Sequence, residues 1–192
     1  MLRKIFLALL GIGLLATLAG MASLAVFTDS AAVDGNTFTT GTVDISTAPT
    51  TALVTFSDMA PGDTVTNSLV ATNAGSLQLR YAITSSATNT DAKGLKDQLV
   101  LTIKTIDVTT PGTPCDNFDG TQLYTGDLDS TAGALVGSNA QGAQAGDRTL
   151  NATASETLCF RVDLPLATGN AFQNATTTAT FTFDAEQTAN NP

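Results

Sequence analysis

Few residues in this chain can do acid–base or nucleophilic chemistry. Its 192 residues include no histidine, and Ser-His-Asp and Cys-His centres need that imidazole to take a proton. A zinc peptidase of the common helical kind presents two histidines one turn apart, with a glutamate as general base. The only glutamates are Glu156 and Glu186, each in a stretch that alternates like a strand. Lys93, Lys96 and Lys104 lie on polar faces, and none follows a serine at Ser-x-x-Lys spacing. The sequence therefore assigns no catalytic residue, no metal ligand set and no cofactor, and residue types alone exclude zincin-type hydrolysis.

The acidic run Asp116-Asn117-Phe118-Asp119-Gly120, with Asp127 and Asp129 behind it, superficially resembles a calcium loop. Phe118 falls where an oxygen ligand is needed. A solvated acidic loop is the expected reading, with a weak surface calcium site as the alternative. Asn151-Ala152-Thr153 and Asn174-Ala175-Thr176 match the N-glycosylation sequon, which matters only in a cell that has the transferase.

What must position these residues begins with a leader. Ile5 to Phe27 is an uncharged run behind Arg3 and Lys4 that passes small residues at Ala22, Ser23 and Ala25. Cations, an apolar stretch and a small-x-small site make a secretory signal. We expect cleavage between Ala25 and Val26. The alternative is an uncleaved anchor, since the run is long enough to cross a bilayer. That would be the chain's one membrane contact. The resulting organisation is a signal peptide over 1–25, a mature N-terminal segment over 26–36, a β domain over 37–188 and a short tail over 189–192.

The mature chain keeps six of the eight cations and all 17 acids, a charge of 6 minus 17, or −11. Such a surface repels nucleic-acid phosphates and anionic membranes, so no nucleic-acid partner is expected. Both cysteines, Cys115 and Cys159, fall in the exported part. In an oxidising compartment the pair reads as a disulfide, and closing a loop of about 44 residues is worth roughly 4 kcal/mol on the chain-entropy model. Unbonded thiols on neighbouring strands are the alternative. Cys159 alternates opposite Leu158, Phe160 and Val162, so a bond would tie the 115–150 region across the outside of a sheet.

Period-two alternation recurs along the mature chain. Phe38, Val43 and Ile45 mark a strand with a bulge near Gly41, and residues 52–56 a short second one. Pro61-Gly62-Asp63 is a turn. Val65, Leu69 and Ala71 then alternate up to a second turn, Asn73-Ala74-Gly75-Ser76. Leu77, Leu79, Tyr81 and Ile83 share one face, with Gln78, Arg80, Ala82 and Thr84 on the other. The two segments read as an antiparallel pair with one buried face. A weak helix over 91–99, a strand from Leu99 to about Val108, and short strands or a long surface excursion over 115–150 follow. Leu158, Phe160, Val162 and Leu164, then Phe181 and Phe183, close the chain. Seven to nine short strands predict an all-β antiparallel sandwich.

Three stretches carry a resemblance. Ala25-Val26-Phe27-Thr28-Asp29 followed by Asn36-Thr37-Phe38-Thr39-Thr40-Gly41-Thr42-Val43-Asp44-Ile45, the Pro-Gly-Asp and Asn-x-Gly segment from Pro61 to Ile83, and the closing Thr/Phe strand through Asp184-Ala185-Glu186-Gln187 are similar to the TasA/camelysin family. The resemblance implies a jelly-roll-like sandwich, a signal cut by a SipW-type signal peptidase, and secretion to an extracellular matrix or cell surface. It also implies fibres of identical subunits in a biofilm matrix, with an anchor or nucleator protein as a further partner. In such fibres the N-terminal segment of one subunit adds a strand to the next. Here the donor candidates are Val26, Phe27, Thr28, Asp29, Ala31 and Val33. Camelysin-type members are described as metalloendopeptidases, so a secreted peptidase is one alternative, disfavoured by the missing histidine. A monomeric adhesin is another, weakened by the absence of tryptophan and by tyrosine only at Tyr81 and Tyr124. N-terminal sequencing of secreted material should read Val26-Phe27-Thr28; an extracellular protein still carrying residues 1–25 would overturn the cleavage.

Overall fold

The computed structural model describes residues 2, 3, 5, 7, 35, 37–51, 53–54, 57–131 and 133–192. The chain divides into two units, Met1–Thr39 and Thr40–Pro192. In the first, residues 2, 3, 5 and 7 are helical. Among the described residues no helix is long and apolar enough to cross a membrane. The cleavage site at Ala25 and Val26, and the donor candidates Phe27, Thr28, Asp29, Ala31 and Val33, lie outside the described residues.

The second unit is the expected all-β sandwich. Its strands are β1 (Ile45–Ala48), β2 (Thr64–Asn73), β3 (Leu79–Ala87), β4 (Val100–Thr105), β5 (Gln122–Asp127), β6 (Arg148–Leu150), β7 (Ser155–Asp163) and β8 (Ala179–Gln187). They form a five-stranded sheet in the order β1-β2-β7-β4-β5 and a three-stranded sheet in the order β6-β3-β8. Every pairing is antiparallel. The longest ladders join distant parts of the chain: Thr64 lies opposite Asp163, and Leu79 opposite Gln187. A strip whose start is laid along its end and then wrapped gives this jelly-roll-like arrangement.

Inward residues of both sheets make one core. Leu69 and Ala71 of β2, Leu101 and Ile103 of β4, and Leu158 and Phe160 of β7 meet Leu79, Tyr81 and Ile83 of β3, all buried. Phe181 and Phe183 of β8 are half-buried against them, with ring centroids 5.1 Å from Phe160 and 5.6 Å from Tyr81. Each such side chain, fully buried, contributes about 1.5–3 kcal/mol.

The expected β2–β3 pair does not form. The two strands lie in different sheets, because β2 is flanked by β1 and β7 and β3 by β6 and β8. The Asn73–Ser76 turn therefore crosses from one sheet to the other. The Asn73 amide sits fully buried at that crossing. Its Nδ2 donates to the carbonyls of Leu77 (2.8 Å), Leu150 (3.2 Å) and Asn151 (3.0 Å), and its Oδ1 accepts from Gly75 N (2.9 Å). One side chain thus holds the crossing turn to the end of β6.

The expected strand from Thr37 is also absent before Ile45. Residues 41–44 instead dock on the crossing turn. Ala74 N donates to Asp44 O, Ser76 N and Leu77 N donate to Thr42 O, and Thr42 N donates to Ser76 Oγ. A Cβ on Gly75 would lie 2.4 Å from Thr42 O, so this approach requires glycine. Gly41 is no bulge: a Cβ there would lie 2.5 Å from Leu77 Cγ. Leu53 and Val54, within the second expected strand, are bends; residues 52, 55 and 56 lie outside the described set. The 91–99 helix reduces to one 3-10 turn, Leu95–Asp97, after Gly94 at φ 72°. β4 ends at Thr105. The 115–150 region contributes the two short strands β5 and β6.

Arg80 and Ala82, expected on an open polar face, are buried, at 7% and 1% exposure. The 137–147 excursion and the chain end cover them: Arg80 Nη2 donates to Asn191 O, and Gly142 N donates to Glu186 Oε1. Replacing Asn73 by alanine strands three carbonyls and one amide at the crossing. Asn73→Ala should lower unfolding stability by about 2–4 kcal/mol in urea titration, the cost of buried groups left unpaired. A loss under about 0.5 kcal/mol, within the range of ordinary surface changes, would show that the crossing is held otherwise.

Candidate functional site

Both glutamates are engaged. Glu156 on β7 accepts the Tyr81 hydroxyl at 2.7 Å and forms an ion pair with Arg148 on β6. The trio spans both sheets. Burial, followed by the hydrogen bond to Glu156, pushes the Tyr81 phenol far above its ordinary range. The Glu156 bond likewise raises the Arg148 guanidinium. Glu186 on β8 accepts Arg80 Nε at 2.6 Å and Gly142 N at 3.0 Å. The Arg80 hydrogen bond is the main reason its carboxyl sits below the ordinary glutamate value. A general base needs a carboxylate oxygen within reach of a substrate proton, and these oxygens face arginines.

Beside Arg80 and Glu186 lies a cleft of about 170 Å³ that Ser138, Asp147 and Asp184 also line. Asp147 is occupied there by the main-chain N–H groups of Ser138 (2.9 Å) and Gln144 (2.8 Å). Its role is to shape the 137–147 excursion.

Cys115 and Cys159 form the expected disulfide, with Cα atoms 5.4 Å apart. They cluster with Phe118 apart from the main core, so the bond crosses the outside of the five-stranded sheet as the alternation of β7 implied. The Phe118 ring, buried, lies 4.7 Å from Lys104 Nζ and 4.4 Å from Arg161 Cζ. Lys104 Nζ also donates to Phe118 O at 2.8 Å. The residue that spoiled the calcium-loop pattern is the packing centre of its loop.

The acids of that region are dispersed. Asp119 Oδ1 accepts Val108 N at 2.8 Å, while Asp129 pairs with Lys96 at 2.7 Å and is held below its ordinary value mainly by that hydrogen bond. Among the described residues no three His, Cys, Asp or Glu side chains converge as a metal site.

Asp107 escaped the sequence reading. It is fully buried. Burial alone would raise its pKa, yet main-chain N–H groups of Thr110 (2.7 Å) and Asn117 (2.9 Å) and the Thr109 hydroxyl (2.9 Å) donate to it. Together with the side chain of Asp119 they hold its carboxyl well below the ordinary aspartate range. Asp107-Val108-Thr109-Thr110, an Asp that can fold back on its own main chain as an Asx turn, was the available signal.

The other feature is an edge. Among the described residues no strand pairs with the outer side of β8, nine residues long. Next to it a groove of about 220 Å³ separates β8 from the end of β1. Leu53, Leu69, Phe181 and Phe183 give it an apolar floor; Thr47, Thr50 and Thr180 rim it.

A family model described as camelysin metallo-endopeptidase matches residues 1–191. No curated protein matches the chain significantly. The description implies a catalytic metal, and the described residues do not fit one. The chain has no histidine, both cysteines are bonded to each other, and both glutamates are paired with arginine.

Because the Asp107 pKa is lower in the folded chain than in the unfolded one, its contribution to stability is complete above the unfolded value. It is lost as pH falls below about 4 toward the depressed folded value. Asp107→Asn should therefore lower Tm at pH 7 and narrow the Tm difference between variant and wild type toward pH 2. Parallel Tm curves across that range would refute this role.

Proposed function

The chain belongs to the camelysin metallo-endopeptidase family, and from that premise we propose that it is a secreted, non-enzymatic subunit of extracellular fibres or a surface coat. The observation that carries the reading is the β8 edge, unpaired among the described residues, with a groove beside it into which Leu53, Leu69, Phe181 and Phe183 project. An exposed sheet edge presents a row of main-chain donors and acceptors that invites another strand. Added strands bind through those groups and seat alternate side chains in pockets.

The donor is Val26-Phe27-Thr28-Asp29-Ser30-Ala31-Ala32-Val33 of a second copy, freed by a SipW-type signal peptidase between Ala25 and Val26. Phe27 is its anchor. The chain enters the sandwich unit beside the Asn73 turn, through residues 41–44 docked on it. The groove, lined by Ala179 and Thr180, lies toward the other end of the sandwich, since Ala179 pairs with Ala87 and Gln187 with Leu79. A donor segment of one copy laid on the β8 edge of the next is a head-to-tail contact, which grows into an open filament when the rotation does not close. A separate anchor or nucleator protein starts the fibre at the cell surface.

The commitment of Glu156 and Glu186 to arginine disfavours the peptidase reading. Burial of Tyr81 removes half of the tyrosine an adhesin surface would use.

Assembly should depend on the donor and leave the fold alone. Burying the Phe27 ring is worth about 2–3 kcal/mol, whereas a solvent-facing hydroxyl is worth little. In sedimentation, Phe27→Asp and a chain starting at Asp34 should stay in the supernatant, while the mature wild type and Thr28→Ala pellet as fibres. Fibres from the shortened chain would show that the N-terminal segment is not the donor.

A further inference from the structure

The fold treats the two sequons differently. Asn151 lies in the turn between β6 and β7. Its side-chain oxygen accepts a 2.6 Å bond from Gln78 Nε2, and its carbonyl accepts from the buried Asn73 amide at 3.0 Å. Asn174 stands in the stretch between the 3-10 turn Asn170–Phe172 and β8, exposed and at φ 54°. The bonds that fix this stretch fall on either side of it. Lys93 Nζ donates to Gln173 O at 2.6 Å, Ala175 N donates to Phe172 O at 3.0 Å, and Thr176 N donates to Asp91 Oδ2 at 2.7 Å. None of them uses the Asn174 amide or the Thr176 hydroxyl. The loop is pinned while its acceptor pair faces solvent.

We propose that Asn174 is an N-glycosylation acceptor and that Asn151 is not. An amide nitrogen becomes nucleophilic only when it can twist out of conjugation, and the hydroxyl two residues on must be open to the transferase. Asn174 and Thr176 meet both needs; Asn151, though exposed, has its amide oxygen held by Gln78, which hinders the twist, in a turn tied to Asn73. The donor is an oligosaccharide linked through phosphate to a lipid. Asn174 Nδ2 forms a bond to the anomeric carbon, and the bond from that carbon to the phosphate oxygen breaks. The lipid phosphate leaves with the electron pair, and one amide proton passes to a base of the transferase. The assignment rests on export, because the transfer takes place on the outer side of the membrane.

The test is intact-mass and peptide-mass analysis of the full mature chain from the extracellular fraction of its producing cells. Asn174→Gln, Thr176→Ala and Thr153→Ala are compared with the wild type; Thr153→Ala removes the other sequon while keeping the bonds of Asn151. The wild type and Thr153→Ala should carry an oligosaccharide mass increment on the Asn174 peptide, and Asn174→Gln and Thr176→Ala should lose it. Extracellular wild type at the bare polypeptide mass, or an increment that survives Asn174→Gln, overturns the assignment and leaves export standing. A chain found only inside the cells overturns export, and this assignment with it.

Discussion

A β-sheet must end somewhere, and how each edge ends organises this molecule. Of the four edges in the sandwich, three are short or broken. β1 has four residues, β6 has three, and β5 pairs with β4 through a register shift at Ile103/Lys104. Short or irregular edges give a foreign strand little to align with. β8 has nine residues in unbroken register with β3, and among the described residues no strand pairs with its other flank, beside which a groove lies. The same wrapping that lays β3 against β8 and β2 against β7 closes the core and leaves this one long edge. The fold and its long edge follow from a single topological choice.

The residues with chemical potential have been drawn into holding the wrapped strip together. Glu156 joins the sheets through Tyr81 and Arg148. Glu186 and Arg80 hold the 137–147 excursion and the chain end over the smaller sheet. Asp107, Phe118 and the Cys115–Cys159 bond make a second, outer packing centre on the larger one. Buried polar groups are tolerated when every partner is supplied, and here the partners are local main chain and arginine.

The long strands were legible because period-two alternation survives in them. Leu158-Phe160-Val162 and Tyr81-Ile83 could be assigned a face before any contact was known. Which strand pairs with which was not legible: the Asn73–Ser76 turn has ordinary turn chemistry, and nothing local says that it crosses between sheets. Asn73 looked like a turn residue and proved to be a buried hub. Arg80 looked solvent-facing because alternation cannot register a covering loop. β6, with three residues, is too short to show a period, and β5 carries Gly126 next to its last residue. The disulfide was legible from compartment and count, whereas the cage around Asp107 depends on main-chain groups that no residue pattern advertises. The open edge of β8 is a property of topology, visible only once the neighbours of β8 are known.

Amide hydrogen exchange tests the central claim most directly. Mature protein is compared before and after assembly, with exchange read peptide by peptide. Strand addition predicts that Ala179–Gln187 gains protection in the assembled state while the buried ladder of β2 and β7 changes little. Fibres in which the β8 amides exchange as fast as in the free subunit would contradict it.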